Sequence, residues 1–201
     1  MSECEEFMSE QISTKEKIVN AAWELFHIKS YEDTTVEDII AAAGTSKGTF
    51  YYYFERKDSL LDTLATIFDR RYEQLEKEMS ADLSSYDKLL FMNYEMHQFI
   101  EKNIDVDLLS SLYSTQLISK GQSNLLDQNR MYYKLVTDIM EEGQKLGQIT
   151  KDKSVRELTK YYSLCERALI SDWCLSKGSY SLTQYSKDFL PFMLETIRAD
   201  K

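Results

Sequence analysis

The chain has 201 residues, of which 43% are apolar, and a net charge of −10 at pH 7. This length allows one large domain or two small ones, and the acidic balance argues against general affinity for nucleic acid, which depends on lysine and arginine. One proline and six glycines are few for a protein built of strands and turns, so an all-α protein is predicted.

Several classes of function find no support in the sequence. Cys4, Cys165 and Cys174 lack metal-site spacing, and their odd number favours a reducing compartment. No apolar run approaches the roughly 18 residues of a membrane span, and the acidic N-terminus is unlike a signal peptide. No phosphate-binding glycine loop or nucleophile motif is present. We expect a cytoplasmic protein without membrane contact, metal, cofactor or enzymatic activity.

The N-terminal part predicts a tail and two helices. Residues 1–12 are polar and acidic, as in a disordered tail. A first helix over 13–29 follows from apolar residues at helical spacing. A second helix starts at a capping box, formed either by the Thr34–Glu37 pair or by the Thr35–Asp38 pair, and Gly44 ends it.

The third helix is short and polar. We expect it over about 46–53 with Thr45 as N-cap, so that helices two and three form a helix-turn-helix. Gly48 inside it costs about 1 kcal/mol relative to alanine, which close approach to another surface would explain. Helical spacing turns Phe50 and Phe54 toward the core and leaves glycine, hydroxyl groups and lysine on a face that suits a DNA groove.

Residues 45–57 carry a local net charge of +2. A small attractive surface on a repulsive body disfavours loose DNA binding and demands a well-fitted site. The aromatic run over 50–54 is also typical of a β-strand, but the residues before it and the neighbouring helices favour a helix.

The rest of the chain predicts a helical body. The expected helices cover about 57–79, 86–102, 105–119, 122–146, 153–176 and 182–198. The helix over 86–102 is apolar on two sides, which places it at the centre. Gly147 is a stop signal, and Pro191 bends or breaks the last helix.

Aromatic and polar residues within the body indicate a ligand cavity. Asn93 and His97 interrupt an apolar stripe, either as hydrogen-bonded core groups or as ligand contacts. The aromatic residues either form core or line the cavity, and with Glu95, Glu141 or Glu166 nearby they would suit a cationic ligand. The predicted ligand-binding residues are Phe68, Tyr72, Phe91, Asn93, Tyr94, His97 and Tyr133.

The last two helices carry more apolar surface than one chain covers. Pairing them with their two-fold mates in a four-helix bundle would bury this surface, and internal packing is the alternative. The predicted dimerisation residues are Leu164, Ala168, Ser171, Leu175, Phe189, Phe192 and Met193.

Residues 13–65 resemble the tetracycline-repressor-type (TetR) family of bacterial transcriptional regulators. The similar segments are Ile18–Phe26, Thr34–Ile39, Ala43–Phe54 and Lys57–Leu61, together with Gly143–Ile149 near the penultimate helix. The resemblance implies an all-α homodimer. Its three-helix head over 13–57, with a helix-turn-helix at about 35–54, would bind a palindromic operator, and a helical domain over 58–201 would bind an inducer and dimerise.

By this resemblance, the DNA-facing residues are Thr35, Thr45, Lys47, Gly48, Thr49, Tyr51, Tyr52, Tyr53 and Lys57. Their chemistry agrees, because tyrosine hydroxyls and helix N-termini donate to phosphate, while Lys47 suits guanine and the Thr49 methyl suits thymine. Lys57 at a helix start would clamp a phosphate. Arg56 departs from the small capping residue that these proteins often place there.

These features predict a ligand-responsive transcriptional regulator, and a repressor in particular. It would bind double-stranded operator DNA as a homodimer and be released by a small-molecule inducer of unknown identity. The alternative is a helical interaction module of the same fold that acts on a protein partner without operator binding. The polar recognition helix favours the regulator.

Overall fold

The computed structural model describes residues 13–118 and 124–199, and its regular elements are helices, apart from one antiparallel bridge between Ile149 and Arg198. The helices are α1 (Thr14–Lys29), α2 (Val36–Ala43), α3 (Lys47–Tyr53), α4 (Asp62–Glu78), α5 (Ser85–Asn103), α6 (Val106–Ile118), α7 (Met131–Leu146), α8 (Val155–Leu175) and α9 (Leu182–Met193). The predicted all-α class is confirmed. The predicted tail, 1–12, lies outside the described residues.

The chain divides into two compact units between Thr63 and Leu64, called here the N-terminal and C-terminal units. In the N-terminal unit, α1 begins at a capping box in which Ser13 and Glu16 accept each other's backbone N–H groups. The apolar side of α1 is buried, and Phe50 and Phe54 are buried as well. The predicted inward direction of both phenylalanines is confirmed, which determines the face of α3 that remains outside.

Helix α5 is the centre of the C-terminal unit and packs against α7 and α9. Both of its predicted apolar stripes contribute buried side chains, among them Leu89, Met92 and Met96 from one and Tyr86, Asn93, His97 and Ile100 from the other. None of the helices in the described ranges has the length and apolar content needed to cross a membrane.

The turn after α7 joins that helix to the start of α5. Gly147 ends α7 in the left-handed region, at φ 68°, as its role as a stop predicts. Gly143 leaves no room for a Cβ atom, because Ile149 and Ser85 pack against it. The Gln148 side chain accepts the backbone N–H of Ser85 at 2.7 Å, which satisfies a donor that the first turn of α5 leaves unpaired.

Three predicted helices differ in extent. Helix α7 begins at Met131 and not near 122, because the residues before it form a turn in which Asp127 Oδ1 accepts the N–H of Asn129 at 2.9 Å. A separate 3-10 turn, Lys57–Leu60, precedes α4. Pro191 lies inside α9, which ends at Met193 and does not continue to 198.

Candidate nucleic-acid interface and ligand cavity

The outward face of α3 is polar and accessible. Tyr51, Tyr52 and Tyr53 are exposed, Tyr52 most of all at 81%, and Gly48 is exposed on the same helix. Because Phe50 is buried on the opposite side, this outward face is held in a fixed direction. An exposed helix with a bare backbone position and several hydroxyl groups can approach a DNA groove and donate to phosphates.

The start of α2 is set by a capping box between Thr35 and Asp38. Thr35 Oγ1 accepts the N–H of Asp38 at 3.1 Å, and Asp38 Oδ2 accepts the N–H of Thr35 at 2.9 Å. Of the two predicted boxes, the structure therefore selects the second. Gly44 then ends α2 at φ 61°, a left-handed conformation that glycine adopts without strain.

The N-cap of α3 is Ser46, and the prediction of Thr45 is wrong. Ser46 has an extended backbone, and its Oγ accepts the N–H of Thr49 at 3.1 Å, which are the two properties of an N-cap. The Thr45 hydroxyl is buried and has no hydrogen-bond partner among the described residues. In the free protein, this hydroxyl is not presented to the outside.

The cations beside the exposed face are paired with carboxylates of α2. Lys47 Nζ lies 2.7 Å from Glu37, and both side chains are more than half exposed. This hydrogen bond raises the pKa of Lys47 and lowers the pKa of Glu37. Lys29 pairs with Asp38 at 2.8 Å. Residues 13–63 contain six lysines and arginines and nine aspartates and glutamates, a net charge of −3, so overall charge does not attract this unit to DNA.

Lys57 holds the loop between α1 and α2. Its ammonium donates to the carbonyl groups of Tyr31 at 2.8 Å and Thr34 at 3.0 Å, and lies 4.2 Å from the centre of the Tyr31 ring. The neighbouring Asp58 accepts the Tyr31 hydroxyl. Sequence reasoning missed this structural role, and phosphate binding by Lys57 stays a prediction. The Arg56 side chain makes no capping hydrogen bond, as its departure from the family pattern predicts.

The C-terminal unit contains a cavity of about 60 Å³. Aromatic and aliphatic residues form most of its wall, including Phe68, Tyr72, Ile100, Leu109, Tyr113 and Tyr132. Arg130, Glu166 and Arg167 are its charged residues. This volume holds a few water molecules but is below the roughly 300 Å³ at which pockets for drug-sized ligands begin. A larger ligand therefore has to widen the cavity as it binds.

The cavity brings together some of the predicted ligand residues. Phe68 and Tyr72, both on α4, line it. Tyr133 supports the wall from behind, because its hydroxyl donates to the carbonyl of the lining residue Leu125 at 3.3 Å. The remaining four predicted residues lie outside the wall: Phe91, Asn93, Tyr94 and His97.

Sequence reasoning missed the polar members of the wall on other elements, namely Tyr113, Arg130 and Arg167. Tyr113 and Arg130 carry no local signal, because their place at the cavity depends on how separate helices pack. Arg167 had one: it follows Glu166 in the sequence, within a stretch of α8 that is buried at Tyr162, Cys165 and Leu169. Charged residues beside such a stripe indicate a polar site within the unit.

A buried polar network surrounds Asn93 and His97. Asn93 Nδ2 donates to Glu166 Oε1 at 3.0 Å and lies 3.2 Å from His97 Nε2, while His97 Nδ1 contacts the Ser186 hydroxyl. Burial lowers the pKa of His97 to about 3 and raises the pKa of Glu166. The imidazole is therefore neutral at pH 7. These contacts agree with the predicted alternative of hydrogen-bonded core groups.

Helices α8 and α9 expose apolar side chains. Leu175 and Phe192 are the most exposed of the predicted dimerisation residues, at 83% and 82%. The other five are exposed or half-buried on the same two helices: Leu164, Ala168, Ser171, Phe189 and Met193. Neighbouring apolar groups of this size on a surface are typical of a protein–protein contact.

Known proteins share the sequence pattern and the fold. The family model for bacterial regulatory proteins of the tetR family matches residues 18–64. The HTH-type transcriptional regulator YvdT of Bacillus subtilis is 27% identical over 146 residues, which cover 72% of this chain and 74% of that protein.

The structure of the fatty acid degradation regulator FadR from Bacillus halodurans aligns with a TM-score of 0.70 and 20% identity, over 93% of this chain and 97% of that one. FadR from Bacillus subtilis in complex with stearoyl-CoA aligns with a TM-score of 0.69 and 20% identity, over 90% and 98%. Residues 18–64 therefore match the tetR family of bacterial regulatory proteins, and the chain shares its fold with the solved regulators named above.

Proposed function

We propose that the protein is a transcriptional repressor that binds a palindromic DNA operator as a homodimer in the cytoplasm and leaves it when a small-molecule inducer binds. The observation that carries this proposal is the outward face of α3. It combines exposed hydroxyl groups with an exposed glycine, while its opposite side is fixed in the core through Phe50. Although the Tyr51 ring contacts Phe50, all three tyrosines of α3 stay exposed to solvent.

The residues of this face divide into two roles. Lys47, Thr49 and Tyr53 read base edges, and Tyr51 and Tyr52 donate to phosphates. Lys47 first has to leave Glu37. Because water screens an exposed ion pair, a guanine or a phosphate can replace the carboxylate at small cost.

The apolar surface of α8 and α9 supports the homodimer. Two copies that pair these helices in a four-helix bundle bury Leu175 and Phe192, which are otherwise exposed in a single chain. A two-fold dimer carries two copies of α3 and places them in successive major grooves, so the operator has to be a palindrome.

Helix α4 supports ligand control. It begins at Asp62, next to the division between the units, and supplies Phe68 and Tyr72 to the cavity. A ligand that widens the cavity displaces α4 and with it the attachment of the N-terminal unit. It regulates DNA binding only if it binds the two states unequally. The stearoyl-CoA complex of FadR supports small-molecule binding by this fold.

Operator selection tests the proposal. The full-length protein is incubated with random duplex DNA at physiological salt, and bound duplexes are amplified and sequenced. We expect a palindrome with half-site centres about 10 base pairs, or a small multiple of that, apart. Failure to enrich any sequence contradicts the proposal and favours a protein partner. A single half-site without its inverted copy contradicts the dimer.

A further inference from the structure

The charged residues of the cavity wall differ in how far the protein itself satisfies them. Arg130 is paired within the protein: its Nε donates to both carboxylate oxygens of Asp69 at 3.2 Å, and its Nη2 donates to Asp69 Oδ1 and to the Ala65 carbonyl at 3.0 Å. Only 10% of the Arg130 side chain is exposed. A guanidinium in such a pair has little charge left for a ligand.

Glu166 is also satisfied from within the protein. Its Oε1 accepts from Asn93 at 3.0 Å and from the Tyr162 hydroxyl at 3.2 Å, and the residue is 4% exposed. Glu95 and Glu141 lie outside the cavity wall and are paired with cations of their own. Of these glutamates, a cationic ligand in the cavity would meet only Glu166, whose Oε1 is already hydrogen-bonded and whose pKa is raised by burial.

Arg167 is the exception. Its one hydrogen bond among the described residues is a long contact of 3.4 Å between Nη1 and the Tyr133 hydroxyl, and it forms no ion pair there. It attracts the neighbouring Glu166 only through a weaker, longer-range interaction. Residues 119–123, which the structure does not describe, contain no aspartate or glutamate that could neutralise it.

Tyr113 is another polar residue of the wall that the described residues leave unsatisfied. Its hydroxyl takes part in no hydrogen bond within the described residues. Burial raises the pKa of this hydroxyl, so it keeps its proton and remains a donor. The wall thus offers one cation, Arg167, and two neutral hydroxyl donors, Tyr72 and Tyr113, surrounded by aromatic and aliphatic surface.

We propose that this cavity binds an organic acid, an apolar molecule with a carboxylate or another anionic group, and that Arg167 and Tyr113 hold the anionic end. The assignment rests on the proposed function, in which this cavity receives the inducer. Phe68 and Tyr72 on α4 contact the apolar body. Hydrogen bonds between charged partners are stronger than neutral ones, so the anionic group adds affinity that an uncharged analogue lacks.

Three probes with the same eight-carbon chain separate the possibilities: octanoate, octan-1-ol and octylammonium. Isothermal titration of the full-length wild type should show octanoate binding about tenfold or more tightly than octan-1-ol, with octylammonium weakest. Arg167→Gln should lower octanoate affinity to that of octan-1-ol and leave octan-1-ol unchanged. Tyr113→Phe should cause a smaller loss of affinity than Arg167→Gln, for octanoate in particular.

Arg156→Gln is the matched control, because Arg156 is exposed on the same helix and does not line the cavity. It should leave all three affinities unchanged. Retained octan-1-ol binding by Arg167→Gln shows that this variant is folded. Equal binding of octanoate and octan-1-ol, tighter binding of octylammonium, an octanoate preference that survives Arg167→Gln, or no octanoate binding at millimolar concentration would each overturn the assignment.

A parallel titration with the selected operator separates this inference from the proposed function. If octanoate binds through Arg167 but the operator complex is unaffected by it, the ligand class stands and inducer control through this cavity fails. If the operator is bound as proposed and octanoate shows no preference, the regulator stands and the organic acid is wrong.

Discussion

The surface of the N-terminal unit that we propose faces DNA and the cavity of the C-terminal unit both combine cations, carboxylates and hydroxyl groups, but they hold them differently. The Lys47–Glu37 pair is exposed at 63% and 66% of its side chains, whereas the Arg130–Asp69 pair is exposed at 10% and 27%. Water screens the first pair, so it contributes little to stability, while breaking a buried pair costs much more. In the proposed function, DNA replaces the carboxylate of the surface pair, whereas a ligand in the cavity finds hydrogen-bond partners among the groups that the protein leaves unsatisfied.

Removing Asp69 should have the largest effect. In Asp69→Asn, Arg130 loses its carboxylate inside the unit, and the free energy of unfolding should fall by about 3 kcal/mol, near the lower limit for buried pairs because Asp69 is partly exposed. Urea unfolding followed by circular dichroism measures it. The control is Asp138→Asn, at an exposed position on α7. A loss as small as that of the control would remove the contrast between the two regions.

Acidic pH should have the next largest effect, through His97. Burial lowers its pKa to about 3, while the unfolded chain takes up the proton near 6.5. The contribution of neutral His97 to the free energy of unfolding is fully present above about pH 6.5. It is lost as pH falls, by roughly 2 kcal/mol between pH 7 and pH 5. Glu166 changes stability in the opposite direction. Because burial raises its pKa, its contribution to the free energy of unfolding falls as pH rises.

His97→Gln isolates the histidine. The difference in unfolding free energy between the wild type and this variant should change between pH 7 and pH 5 in the direction of a relatively more stable variant at pH 5. Unfolding curves at both pH values measure this difference. A difference that does not depend on pH would mean that His97 accepts its proton in the folded protein.

Lys57 should give a smaller effect and sharpen the comparison within the N-terminal unit. In Lys57→Met, the carbonyl groups of Tyr31 and Thr34 lose their donor, which should lower stability by about 1–2 kcal/mol. Lys17→Met, at an exposed position on α1, is the control. Reduced operator binding with unchanged stability would instead assign Lys57 to phosphate contact.

Glu37→Gln should have the smallest effect. It releases Lys47 and removes one negative charge, so affinity for random duplex DNA should rise several-fold at low salt, and the gain should shrink as salt is added. Stability should stay nearly unchanged, because Glu37 lies at the surface. Fluorescence anisotropy measures the affinity. The control is Glu24→Gln, at an exposed position on α1. Equal gains from both variants would show a general charge effect without release of Lys47.

Local signals made much of the N-terminal unit predictable. These signals are a threonine or serine three residues before its capping partner, a glycine at a left-handed turn, and two phenylalanines four residues apart. Together they describe α2 and α3 almost completely. The cap was misplaced by one residue, because Thr45 and Ser46 are equivalent by sequence and differ only in backbone conformation.

The cavity was less predictable because it depends on contacts between distant residues. Arg130 reaches Asp69, 61 positions earlier in the chain, and nothing near either residue indicates the pair. The start of α7 was predicted nine residues too early, since apolar periodicity continues through the Asp127 turn. The aromatic stripes identified Phe68 and Tyr72. They did not distinguish residues that line the cavity from residues of the hydrophobic core.

The central claim is that the outward face of α3 binds operator DNA, and its most direct test is the operator affinity of Lys47→Ala. Fluorescence anisotropy is measured with the selected operator for the wild type, for Lys47→Ala and for Lys134→Ala, which alters an exposed lysine on α7. We predict that Lys47→Ala binds about tenfold or more weakly, the value of a lost base contact, and that Lys134→Ala matches the wild type. Equal affinity of Lys47→Ala and the wild type would contradict the account.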